Sequence, residues 1–246
     1  MEFVERFIDA GSERLRVLEA GSGALLVVLA DAMAAEPGLA ESILAEGSRV
    51  IVIAAPTGPS QRASATLAAA IAALGLAQPA VLASSLAAPI ALWLAIDHPE
   101  RVRSLLLESP LAFSSHLSTL VSHADDWPHC FNAHGERKTG TPPAAAAFAT
   151  LARQRIAPAQ DASFAQKLAT FDPPVLTLFG TRDPLAPVEL GRFYKNLFPN
   201  AWFLMVYDAA HDIRGDRPEA FADAVGDFLR RGAQFAIGER SSRLHR

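Results

Sequence analysis

The sequence predicts an α/β fold, a mostly parallel sheet wrapped by helices with a small helical insertion. Three observations carry that prediction. Continuous apolar runs such as "ALLVVLA" (Ala24–Ala30) suit strands buried on both faces. Alanine-rich helical stretches alternate with them across short connections, the pattern of a parallel sheet with right-handed crossovers. Between Leu111 and Phe171 the strand signal disappears, and it returns afterwards.

The elements follow in order. "FVERFID" and "RLRVLEA" flank "AGSE", a β-hairpin with a glycine-containing loop. After "ALLVVLA", "GLAESILAEG" reads as a helix ended by Gly47. "RVIVIAAP" is a second buried strand, closed by Pro56, and "ASATLAAAIAALGL" is helical. "AVLAS" is a third buried strand, followed by "LAAPIALWLAIDHPE", a helix that stops before Pro99. "VRSLLLESP" is a fourth. The later part reads as strand "PPVLTLFG", helix "PVELGRFYKNLFP", strand "AWFLMVY" and helix "RPEAFADAVGDFLRR". The expected organisation is a core over 1–110 and 172–231, a helical cap over 111–171 lying on the carboxyl edge of the sheet, and a polar, Arg-rich tail over 232–246. No internal repeat is visible.

Composition narrows the classes of function. The chain has 246 residues, half of them apolar and a fifth charged, as expected of one globular domain with a single large core. A net charge of −4 gives no electrostatic case for nucleic acid or an anionic membrane. One cysteine, Cys130, rules out an intramolecular disulfide framework and a cysteine-based zinc site. "MEFVERFIDAGSERL" carries charges throughout, so no signal peptide is expected and a cytoplasmic protein is the default.

In an open parallel sheet, ligands bind beyond the carboxyl ends of the strands. Ser85 ends the strand that begins near Ala80. Asp183 lies in "FGTRDPLAP", after the strand Pro174–Phe179, and His211 in "YDAAHDIRGD", after the strand Ala201–Tyr207. A serine hydroxyl is a poor nucleophile near neutral pH. It needs a base to take its proton, and that base needs a carboxylate to fix its tautomer and stabilise its charged form.

These three residue types in this order resemble the α/β-hydrolase superfamily, and specifically its compact esterase-like members with a helical cap. "RLRVLEAGSGALLVVL" resembles the family's hairpin and third strand. "VLASSLAAPIALWLAIDHPERVRSLLLESP" resembles its elbow, following helix and next strand. "PVLTLFGTRDPLAP" resembles the acid-bearing strand and turn, and "HDIRGDRPEAFADAVGDFLR" the histidine loop and last helix. The resemblance implies Ser85 as nucleophile, Asp183 as acid and His211 as base. It implies oxyanion-hole donors at the backbone N–H of Leu86 and, from the loop after Leu25–Leu29, of Ala32. It implies hydrolysis of a small, largely apolar carboxylic ester through an acyl-enzyme, with a small-molecule substrate, no cofactor and no metal. A homodimer is left open.

Two departures stand out. The family's Gly-x-Ser-x-Gly elbow reads Ala83-Ser84-Ser85-Leu86-Ala87, and its His-Gly after the third strand reads Ala30-Asp31. Alanine adds one methyl group, so the turn is expected to survive with slight widening. A carboxylate beside an oxyanion hole would oppose the developing charge, so Asp31 is expected to point away.

Several residues admit plainer readings. Asp183 could be a turn aspartate, because "RDP" is good turn chemistry, and Glu108, which also ends a strand, is then the fallback acid. Asp208 and Asp212 are expected to be solvated or loop-capping. His116, His123, His129 and His134 share no compact ligand spacing. Phe113, Trp127, Phe131 and Phe148 would pack the cap onto the sheet or line an apolar pocket. Three other functions stay open: cleavage of C–C bonds by the same triad, a small-molecule-binding module with little or no catalysis, and a purely structural role.

Overall fold

The computed structural model describes residues 1–30, 36–113, 127–133, 144–156 and 161–235. Eight strands form one sheet in the order β1-β2-β4-β3-β5-β6-β7-β8. They are β1 (Val4–Ala10), β2 (Glu13–Ala20), β3 (Ala24–Ala30), β4 (Ser48–Ala54), β5 (Ala80–Ser84), β6 (Ser104–Glu108), β7 (Val175–Gly180) and β8 (Ala201–Val206). The β1–β2 hairpin joins β4 antiparallel, and every later pairing is parallel. The predicted mostly parallel sheet is therefore observed, and each strand read from the sequence is present within a residue or two of its expected bounds.

Alternation along the strands divides the interior into two cores. Val27, Leu29, Ile51, Ile53, Val81, Ala83, Leu105 and Leu107 face one side. Helices α2 (Ser60–Ala73), α3 (Ala88–Asp97) and α7 (Leu190–Leu197) cover it. Leu26, Val28, Val50, Val52, Leu82 and Leu106 face the other side, under α1 (Leu39–Leu44) and α9 (Pro218–Arg231). Because β3, β5 and β6 have helices on both faces, apolar residues occupy nearly every position, and each fully buried Leu, Ile or Val contributes about 1.5–3 kcal/mol.

Between β6 and β7 the described residues hold α4 (Trp127–Phe131), α5 (Ala145–Arg155) and α6 (Asp161–Leu168). The sequence predicts short helical patches there. A further short helix, α8 (Ile213–Asp216), follows β8 and has no counterpart in the sequence reading. Asp212 caps it, accepting a hydrogen bond from the backbone N–H of Gly215. Asp212 is thus a buried capping residue and not a solvated one, while Asp208 pairs with Arg182 at 2.8 Å.

Candidate active site

Ser85 begins where β5 ends. Its φ is +51°, in the left-handed region that costs a non-glycine residue about 1–2 kcal/mol. The chain turns sharply there and enters a one-turn 3₁₀ helix, Ser85–Ala87, that leads into α3. Ala83 and Ala87 flank the turn and are fully buried. The elbow therefore forms with alanine at both of the positions where the resemblance places glycine.

The second and third residues reach Ser85 from far along the chain. His211 Nε2 lies 2.8 Å from Ser85 Oγ, across 126 residues of sequence. His211 Nδ1 lies 2.8 Å from Asp183 Oδ2. Asp183 Oδ1 accepts the backbone N–H groups of Leu185 and Ala186 at 2.8 and 2.9 Å. A carboxylate offers only acceptors here, so Nδ1 carries the ring proton. Nε2 is left as the acceptor for the serine hydroxyl. All three side chains are buried, with Ser85 0%, His211 1% and Asp183 5% exposed. "RDP" does make a turn, and the same carboxylate that closes it also holds the imidazole.

Two devices hold the histidine loop in place. Gly180, the last residue of β7, lies so close to this loop that a Cβ there would collide with the carbonyl oxygens of Ala209 and Ala210. Only glycine lets the acid-bearing turn approach the histidine, and the backbone bond from Arg182 N–H to the Ala209 carbonyl at 2.9 Å follows from that approach. Nothing in the sequence reading singled out Gly180, although a glycine at the end of an apolar strand is a signal of close backbone approach. On the other side, the backbone N–H groups of His211 and Asp212 donate to the carbonyls of Cys130 and Phe131 in α4, at 3.1 and 3.0 Å. The Phe131 ring then stands edge-on to the imidazole, centroids 5.5 Å apart, with Phe148 packed behind it at 5.6 Å.

The remaining expected residues fall as follows. Leu86, directly after Ser85, is buried in the one-turn 3₁₀ helix of the elbow. Ala32 and Asp31 lie outside the described residues, as do His116, His123 and His134. His129 is exposed in α4. Among the described residues no group of three His, Cys, Asp or Glu side chains could hold a metal ion. Phe113 packs against Phe164, Phe193 and Tyr194. Ser109, beside the elbow at the end of β6, has φ +43° and a buried hydroxyl with no hydrogen-bond partner.

Glu108 is the one candidate whose environment differs from the sequence reading. It sits opposite Ser84 in the β5–β6 register and makes no bond to His211. Instead it accepts three donors: Arg214 Nε at 2.9 Å, the Arg214 backbone N–H at 2.9 Å and the Ser84 hydroxyl at 2.6 Å. Burial raises its pKa above the ordinary carboxylate value, and the Arg214 guanidinium only partly offsets that. No local pattern marks this pairing: Arg214 stands among Asp212, Asp216 and Arg217, 106 residues beyond Glu108.

No helix of the described residues is long and apolar enough to cross a membrane. The family model described as TAP-like protein matches residues 150–240, the part that carries Asp183 and His211. A comparison with curated proteins found no match. Among solved structures, a serine hydrolase involved in carbazole degradation is similar at a TM-score of 0.74 and 21% identity, over 93% of this chain and 99% of that one. E-2-(acetamidomethylene)succinate hydrolase is similar at 0.71 and 19% identity, over 93% and 100%. A thermophilic esterase from Thermogutta terrifontis is similar at 0.69 and 17% identity, over 94% and 98%. With this strand order, the left-handed serine at the end of β5 and these likenesses along nearly its whole length, the chain is an α/β-hydrolase-fold protein.

Proposed function

We propose that the protein is a serine hydrolase acting on a small, largely apolar carboxylic ester through an acyl-enzyme. The observation that carries this reading is the unbroken path from Ser85 Oγ through the His211 ring to Asp183, with 2.8 Å at each link. The non-catalytic and structural readings leave a strained serine, a buried imidazole and a buried carboxylate in hydrogen-bond contact without a reason.

The chemistry follows from the proton positions. His211 Nε2 takes the Ser85 proton as Oγ attacks the ester carbonyl carbon. The carbonyl oxygen becomes an oxyanion, held by the Leu86 backbone N–H and by a donor from the loop after β3, where the resemblance places Ala32. One such donor contributes roughly 3–4 kcal/mol of barrier lowering. Asp183 keeps the imidazole oriented and stabilises its cation. The imidazolium then protonates the alkoxide leaving group, and the C–O bond breaks to give the alcohol and acyl-Ser85. Water, deprotonated by the same Nε2, attacks the acyl carbon; the Oγ–C bond then breaks, the imidazolium returns the proton to Ser85 Oγ, and the acid leaves. The aromatic wall beside the base, Phe131 backed by Phe148, favours apolar substituents near the reacting bond.

A fluorophosphonate probe tests this directly. The wild type is expected to be labelled at Ser85 and the Ser85→Ala variant to remain unlabelled. A folded wild type that resists the probe would overturn the reading. Turnover of a panel of short esters and vinylogous diketones then separates ester hydrolysis from C–C cleavage.

A further inference from the structure

The triad leaves unused a second buried constellation on the opposite side of the elbow. Arg214 is fully buried, and its guanidinium donates in three directions. Nε reaches Glu108 at 2.9 Å, Nη1 reaches Glu41 at 2.7 Å and Nη2 makes a short contact with the Ser84 hydroxyl. The Ser84 hydroxyl donates to Glu108, and the second Glu41 oxygen accepts the Gly38 backbone N–H at 2.8 Å. Every side-chain polar group of the cluster is therefore engaged. Four separate segments meet in it: α1, the end of β5, the end of β6 and the start of α8.

An arginine with two buried carboxylates is an expensive way to fill a core. Well-packed apolar residues of the same volume commonly give equal or greater stability. What the ionic cluster supplies is direction, because a planar guanidinium fixes its partners' angles as well as their distances. The partners matter here. Ser84 is the residue immediately before Ser85, and Arg214 lies three positions after His211. The two ends of the Ser85–His211 contact come from opposite halves of the chain, and this cluster joins the segments that carry them.

We infer that Arg214 is a positioning residue: with Glu108 and Glu41 it clamps the peptide ahead of Ser85, through the Ser84 hydroxyl, to the loop that carries His211. It touches neither substrate nor reacting atoms. It sets the distance and angle between Oγ and Nε2, on which proton transfer depends. The inference rests on the hydrolase reading above.

The test measures the fluorophosphonate labelling rate of Ser85, together with kcat and KM on a short-chain ester. Ser84→Ala, Arg214→Met and the wild type are compared well below their melting temperatures. Leu67→Ala, a buried cavity variant in α2, serves as a control for destabilisation alone. Ser84→Ala is expected to label about tenfold more slowly and Arg214→Met about a hundredfold, with the loss in kcat and KM nearly unchanged. Leu67→Ala is expected to melt earlier yet label at the wild-type rate. Wild-type rates in folded Ser84→Ala and Arg214→Met would overturn the clamp and leave the hydrolase reading standing. If Arg214→Met does not fold, Ser84→Ala decides the matter, since it removes one hydroxyl and no charge. A wild type that is not labelled overturns the hydrolase reading, and the clamp with it.

Discussion

Asp183 and Glu108 make an instructive pair. Both are buried carboxylates at the carboxyl rim of the same sheet, one after β7 and the other at the end of β6. Asp183 takes two backbone N–H groups on one oxygen and keeps the other for an imidazole. Glu108 spends both oxygens on a guanidinium, its backbone and a hydroxyl. Chain position does not separate a carboxylate that manages a proton from one that holds parts together. The partner does, because among these partners the imidazole has a ring nitrogen that can accept a proton and give it back.

Exchanging charge for neutrality at each site breaks the pair apart. Asp183→Asn keeps the shape but offers an amide to the imidazole and favours the wrong tautomer, so kcat is expected to fall by about 10³–10⁴-fold. Its melting temperature should stay near that of the wild type, and steady-state kinetics with a thermal melt will show whether it does. Glu108→Gln should do the reverse. It leaves a buried guanidinium short of a charged acceptor, and is expected to lower unfolding free energy by about 1.5–3 kcal/mol in denaturant titrations. Activity should fall less than in Asp183→Asn. Equal losses of activity in the two variants would erase the distinction.

Gly180→Ala sharpens the same contrast on the acid side alone. The new methyl must push the β7 end away from Ala209 and Ala210, at a cost of about 1–3 kcal/mol. It should also stretch the contact from Asp183 to His211, so stability and kcat are expected to drop together. The smallest expected effect is in pH dependence. Because burial raises Glu108 above its ordinary 4.5, the folded chain keeps a proton that the unfolded chain has already released. Stability from this group is therefore complete below 4.5 and is lost as pH rises towards the raised value. Glu108→Gln should lack this slope, which unfolding curves collected across the acidic range can detect.

How far the sequence reveals this arrangement depends on the range of the interaction. The strands are legible because burial on both faces leaves apolar residues at almost every position, as in "ALLVVLA". Ser85, Asp183 and His211 are legible because each follows a recognisable strand, and the topology then brings the three ends to one rim. The elbow is harder to see. Its glycines are absent, and only the left-handed φ of Ser85 reveals that alanine suffices. Glu108 could not be told from an acid in reserve, since Arg214 lies 106 residues further on and no local pattern joins the two. Gly180 is hard to read for a related reason: what crowds it is the main chain of Ala209 and Ala210, which leaves no trace in the identity of those residues. The oxyanion donor assigned to Ala32 lies outside the described residues.

The bonds from the His211 and Asp212 amides to the Cys130 and Phe131 carbonyls bear on how such a protein can diverge. Carbonyl oxygens are common to all twenty amino acids, so mutation of either helix residue does not delete the acceptor. The ring contact of Phe131 can be traded for a different shape while the loop stays hooked. On the hydrolase reading, the wall beside the base can therefore change shape without releasing the loop that carries His211.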